Sequence, residues 1–164
     1  MKKIFTSPSS GQLDLDGVVA QVGQFVNEYP QFFYRLIIGS DSHSKKDGQG
    51  SFLNLVTAIV IHRQGKGGRY FWLRKRQKKT HSLREKIYAE TAASLNIAQE
   101  ILPKVNKTLN GKRKYELEIH IDVGRSGETR DMIKEVVGMV SGNGFMAKTK
   151  PEAYGASKVA DKHT

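Results

Sequence analysis

Apolar residues recur along this chain in two rhythms, and the switches between them predict the order of the elements. Val18, Val19, Val22, Phe25 and Val26 share one face of a helix that Asp14 or Asp16 can cap and Pro30 ends. Three runs of strand character follow: Tyr34 to Ser42, Phe52 to His62 and Arg69 to Leu73. The last two are joined by the glycine-rich turn Gly65-Lys66-Gly67-Gly68, and such short polar connections favour an antiparallel meander. Helical spacing then holds from about Ser82 to Leu102 and stops before Pro103, and Tyr115 to Val123 reads as a further strand. Ser126 can cap a helix whose Met132, Ile133, Val136, Val137 and Val140 lie on one face and which closes at Gly142-Asn143-Gly144. Phe145 to Lys148 reads as a short strand, and Glu152 to His163 as an Ala-rich helix with Pro151 near its first turn.

This order predicts an α/β fold, a mixed five-stranded sheet of three antiparallel strands followed by parallel ones, with helices on both faces and an extra helix at the N-terminus. A chain of 164 residues suits one domain, with residues 1–32 as lead-in and first helix and 33–164 as the core. The helix between the third and fourth strands allows the fourth to cross over and lie parallel beside the first.

That crossover gives meaning to two carboxylates. Leu36-Ile37-Ile38-Gly39-Ser40-Asp41 and Glu118-Ile119-His120-Ile121-Asp122 are apolar strands that each end on an acid, and adjacent parallel strands would aim both acids at one point. On the long helix Glu90 falls on the face of Leu83, Ile87, Ser94, Ile97 and Ile101, whereas Glu85 falls nearly opposite. A carboxylate on an apolar face needs a partner or a metal to offset its desolvation, which makes Glu90 the third candidate. Asp161 is the fourth, on a helical face bordered by Ala153 and Ala160, with Lys158 one turn earlier as its ordinary ion-pair partner. Four acids suit two divalent cations, which at a separation of about 3.5–4 Å activate water and stabilise the leaving oxygen in displacement at phosphorus.

Charge points to the same chemistry. Lys and Arg number 27 against 16 Asp and Glu, a formal net charge of +11, and such an excess marks proteins that meet polyanions. It concentrates in Arg74-Lys75-Arg76-Gln77-Lys78-Lys79, placed in the connection before the long helix, and in Lys112-Arg113-Lys114. Both clusters are candidate phosphate contacts that position a nucleic-acid backbone without reading its sequence. The absence of cysteine excludes disulfides, thiol catalysis and thiolate metal sites. After Met1-Lys2-Lys3 the polar run Thr6 to Gly11 takes the place of a signal peptide's apolar region, and no other stretch could span a bilayer, so a cytoplasmic protein without a membrane partner is expected.

Ile38-Gly39-Ser40-Asp41-Ser42, Glu90 within Tyr88 to Leu95, His120-Ile121-Asp122-Val123-Gly124 and Ala156 to His163, in that order on strand, helix, strand and helix, resemble the ribonuclease H-like nucleases, most closely their bacterial YkuK-type branch. The resemblance covers the chain from about Phe33 onward. It implies that Asp41, Glu90, Asp122 and Asp161 bind two Mg²⁺ or Mn²⁺ ions and that the protein hydrolyses phosphodiester bonds in RNA, DNA or a hybrid. The chain departs from proofreading-type exonucleases, which carry Asp-x-Glu in the first strand, by placing His43 at the third position. The loop histidine of ribonuclease H itself has no counterpart before Asp161, and His163 substitutes for it only if the terminus folds back. His43 and His120 have the strand parity of the two aspartates, so they, Lys158 and His163 are auxiliary candidates. Two alternatives stand beside the nuclease: a non-catalytic nucleic-acid-binding module of the same fold, and a dimeric junction-resolving or strand-transfer enzyme.

Overall fold

In the computed structural model, which describes residues 2–110, 115–153 and 155–164 without the side chains of Ser157 and Lys158, a short hairpin precedes the first helix. Its strands are β1 (Phe5–Ser7) and β2 (Gly11–Leu13). Helix α1 (Leu15–Glu28) follows, capped by the Asp14 carboxylate, which accepts the Gly17 N–H at 2.8 Å. Three long strands come next: β3 (Tyr34–Asp47), β4 (Gly50–Arg63) and β5 (Gly68–Lys78). The crossover helix α2 (Leu83–Thr108) leads to β6 (Tyr115–His120), and a 3-10 turn at Arg130–Met132 leads to α3 (Ile133–Gly142), β7 (Met146–Lys148) and α4 (Gly155–Lys162).

The sheet runs in the order β2-β1-β5-β4-β3-β6-β7. Strands β3, β4 and β5 are antiparallel, whereas β6 lies parallel to β3 and β7 parallel to β6, as the crossover requires. One face carries the main core, where Leu36, Ile38, Ile59 and Ile119 meet Val22 of α1, Ile97 and Ile101 of α2 and Val136 of α3. Among the described residues the other face is covered by α4, through Ala156 and Ala160 against Ile37, Val56 and Ala58. Small residues on both sides of that contact bring α4 close to the strand that carries Asp41. Between α1 and α2 a Cβ on Gly23 would come within 2.7 Å of Thr108 Cγ2, so the crossing needs glycine or a shift of that threonine.

Several features differ from the expectation. The sheet has seven strands rather than five, because the Ser/Pro/Gly lead-in forms the β1–β2 hairpin, with Phe5 fully buried against the core. Strand β5 continues to Lys78, so the basic run is strand rather than connection. Helix α2 passes through Pro103 to Thr108, since Gln99, whose carbonyl loses its partner, lies on the exposed side and Val105 and Leu109 continue the buried stripe. Strand β3 runs on to Asp47, paired with β4 throughout, so Asp41 lies within the strand rather than at its end. Strand β6 ends at His120, which leaves Asp122 just past the ladder, and α3 starts at Ile133, well after Ser126. Among the described residues no helix is long and apolar enough to cross a membrane.

Candidate metal centre

Alternation along β3 sends neighbouring side chains to opposite sides of the sheet, and this divides the polar residues near Asp41 into two sets. Ser40 and Ser42 face α2. The Ser40 hydroxyl is 2.8 Å from both Thr57 Oγ1 and Ser94 Oγ, and Ser42 Oγ donates to Glu90 Oε2 at 2.6 Å. Asp41 and His43 share the α4 side, where His43 Nε2 stands 3.0 Å from Asp41 Oδ2 and 3.1 Å from Asp161 Oδ1. Ligand atoms of Asp41, His43 and Asp161 all lie within 4.8 Å of one another.

Glu90 is buried on the apolar face of α2, as its periodicity predicts, and Lys86 one turn earlier reaches it at 2.6 Å. The same ammonium is 3.9 Å from Asp41 Oδ1. Asp122 sits beyond the end of β6, where it lines a narrow crevice with Glu90, Ser40 and Ser94, and its Oδ1 pairs with Lys150 Nζ at 2.6 Å. Gly39 and His120 are the last ladder pair of β3 and β6, so Asp41 lies two residues further on within β3, whereas Asp122 lies two residues past it beyond the end of β6, where the Val123 N–H donates to the Ile121 carbonyl at 2.9 Å.

Electrostatics distinguish the acids. Burial raises the Asp41 carboxyl above its ordinary range, opposed by the charges of Lys86 and His43. Burial likewise raises Glu90, against the pull of Lys86 and the Ser42 hydroxyl. The exposed Asp161 is held low, chiefly by its hydrogen bond to His43. Beside buried Glu90, dehydrated Asp41, readily ionised Asp161 and the His43 imidazole form a donor set suited to a hard or borderline divalent cation. A bound cation would compensate the desolvation that the fold imposes on them. The residues present therefore fit Mg²⁺ or Mn²⁺.

The auxiliary candidates separate. His43 lies between two acids of the cluster. His120 is buried, with Nε2 3.0 Å from Glu118 Oε1 and its proton affinity lowered mainly by burial, and it lines a cavity of about 420 Å³ with Arg35, His62 and Lys148. His163 stacks on Trp72 at 4.3 Å between ring centres and 9° between planes, so the folded-back terminus uses its ring to anchor α4. The Lys158 side chain and Lys112, Arg113 and Lys114 lie outside the described residues.

The basic run divides as a strand must. Lys75 and Gln77 line a groove on the α2 side with Ala89 and Ala93, whereas Arg74 and Arg76 face the α4 side. Arg74 donates to the His163 carbonyl at 2.7 Å, and Arg76 pairs with Asp47 at 2.6 Å while lying over Phe52. Register places Arg74 in one row with Val56 and Asp41, and Arg76 in one row with Asn54 and His43. Two strand spacings, about 10 Å, therefore separate these cations from the acids on the same face. Lys79 lies just beyond the strand end and is exposed. Sequence reasoning missed Lys86, Lys150 and the buried Glu118; Lys86 was open to it, being four residues before Glu90 on one helix face.

A mixed sheet of this order, with a crossover helix on one face and a C-terminal helix on the other, is the architecture of ribonuclease H-like proteins. The family model described as Ribonuclease H-like matches residues 17–164, and the chain belongs to that family. It is 33% identical to YkuK of Bacillus subtilis (strain 168), a protein described as uncharacterized, over 98% of this chain and 96% of the relative. No solved structure matches it. Membership points to nuclease-type or nucleic-acid-related function, in a family whose nucleases typically use divalent metals.

Proposed function

We propose that this protein is a nuclease that hydrolyses phosphodiester bonds of RNA or DNA with divalent metal, Mg²⁺ or Mn²⁺, at Asp41, Glu90, Asp122 and Asp161. The observation that carries this reading is the gathering of Asp41, His43 and Asp161 within ligand distance, beside buried Glu90 and with Asp122 just past the end of the neighbouring β6. Cations held there supply Lewis-acid activation of water and charge stabilisation at phosphorus. The chain's own residues do the rest. Asp41 and Asp161 offer oxygens and His43 a ring nitrogen; Ser42 orients Glu90, and the Ser40–Ser94 hydrogen bond fixes β3 against α2 behind the acids. Arg74, Arg76 and Lys78 on the same face, with Lys45 of β3, would hold the phosphate backbone across the β3–β5 strands.

A binding module without hydrolysis is the second reading, favoured by one observation: Lys86 and Lys150 already neutralise Glu90 and Asp122. Incubating one preparation with end-labelled RNA, DNA and hybrid in Mg²⁺, Mn²⁺ or EDTA separates the two. The nuclease reading expects cleavage of at least one substrate that EDTA stops. Retention of all three without cleavage in either metal supports the binding module.

A further inference from the structure

The two oxygens of Asp41 face different partners. Oδ2 belongs to the group with His43 and Asp161, and Oδ1 faces the ammonium of Lys86, whose nearer partner is Glu90 Oε2. Asp41 thus bridges a set of metal-type donors on one side and a lysine cation on the other. We propose that Lys86 is the second cation of this centre: one divalent ion binds at Asp41, His43 and Asp161, and the ammonium permanently holds the place between Asp41 and Glu90. This rests on the metal-dependent reading above and replaces its two ions with one.

Three features support the assignment. Lys86 and Glu90 are four residues apart on α2, so the helix itself delivers the ammonium, and the carboxylate it meets is almost fully buried. That carboxylate has Ser42 Oγ and Lys86 Nζ on one oxygen at 2.6 Å each, which compensates its desolvation without a metal. Charge among the described residues also balances: Asp41, Glu90 and Asp161 would meet one divalent ion plus one ammonium, and Asp122 is matched by Lys150. A second divalent ion would have to expel Lys86 or sit against its positive charge. With substrate present, the same ammonium offers N–H donors and positive charge to a phosphoryl oxygen, electrostatic help that needs no second metal.

Counting Mn²⁺ on the full-length protein, by calorimetric titration checked with electron paramagnetic resonance of the free ion, tests this without any activity. One ion is expected for the wild type and for Lys86→Arg, and two for Lys86→Gln and Lys86→Met, with folding verified by circular dichroism. Two ions on the wild type overturn the role of Lys86 and leave the metal-dependent reading standing. One ion on all four proteins also overturns it, because the lysine then holds no metal place. No ion on the wild type contradicts the metal centre itself, and the lysine assignment falls with it.

Discussion

Asp41 and Asp122 each follow the ladder pair Gly39–His120 by two residues, Asp41 within β3 and Asp122 just past the end of β6. In the proposed nuclease, two segments far apart in sequence would present carboxylates to one phosphate, and Asp122 would contribute to the transition state rather than to binding. Asp122→Asn is expected to lower saturated turnover by about 10²-fold or more while nucleic-acid affinity is kept or improved, because a negative charge near the phosphates is removed. Kinetics paired with a binding titration check this; a weaker complex with unchanged turnover would contradict it.

Strand alternation gives the basic run a prediction that a loop would not. Arg76→Gln and Lys78→Gln alter the face that carries Asp41, whereas Lys75 points to the groove beside α2. Each of the first two should weaken nucleic-acid binding and reduce the slope of log K against log salt by about 0.7–0.9. Lys75→Gln should leave both nearly unchanged. Equal effects at all three positions would mean that the strand's two faces do not divide the work.

Much of this architecture was legible because long elements repeat their pattern. The valines of α1 and the apolar runs of β3, β4 and β6 have enough turns or alternations to reveal a period, and the crossover rule set β6 beside β3. The β1–β2 hairpin was not legible, since strands of three residues show no period and their burial is decided by the β5 edge they meet. Charged residues at the end of β5 imitate a loop for a related reason: alternation is invisible when both faces of the strand are polar. Asp41 could be read from the end of an apolar run, although β3 itself continues to Asp47, and Glu90 from a helix face. Lys150 could not, because its approach to Asp122 depends on how the segment after β7 passes the end of β6.

Passage of α2 through Pro103 should carry a measurable cost. The ring removes one intrahelical hydrogen bond at an exposed position, while Ile101 and Val105 on either side hold the helix on the core. Pro103→Ala is expected to raise unfolding free energy by about 1–3 kcal/mol in a urea titration. A loss of stability would mean that the proline sets a bend the packing requires.

The Asp14 cap predicts a pH dependence with a definite sign. The Gly17 N–H and then Lys2 hold this carboxyl below its ordinary value of 3.8, so the unfolded chain takes up a proton at a higher pH than the folded one. Its contribution is therefore present above about pH 4 and lost as pH falls through the folded value. Asp14→Asn keeps a capping oxygen but removes the titration, so its melting temperature should decline less steeply than that of the wild type on acidification below pH 4. Parallel curves for the two proteins would assign the acid sensitivity to other carboxylates.

In the proposed function, phosphodiester hydrolysis depends on a divalent ion held at Asp41, the residue that joins the His43–Asp161 group to Lys86 and Glu90. The measurement that tests it most directly is the Mn²⁺-dependent rate of cleavage of a labelled strand by the wild type and by Asp41→Asn, side by side at saturating substrate. Metal-dependent cleavage by the wild type is expected, with a rate for the variant lower by about 10²-fold or more and the substrate still bound. Equal rates for the two proteins, or cleavage by the wild type that persists undiminished in EDTA, would contradict it.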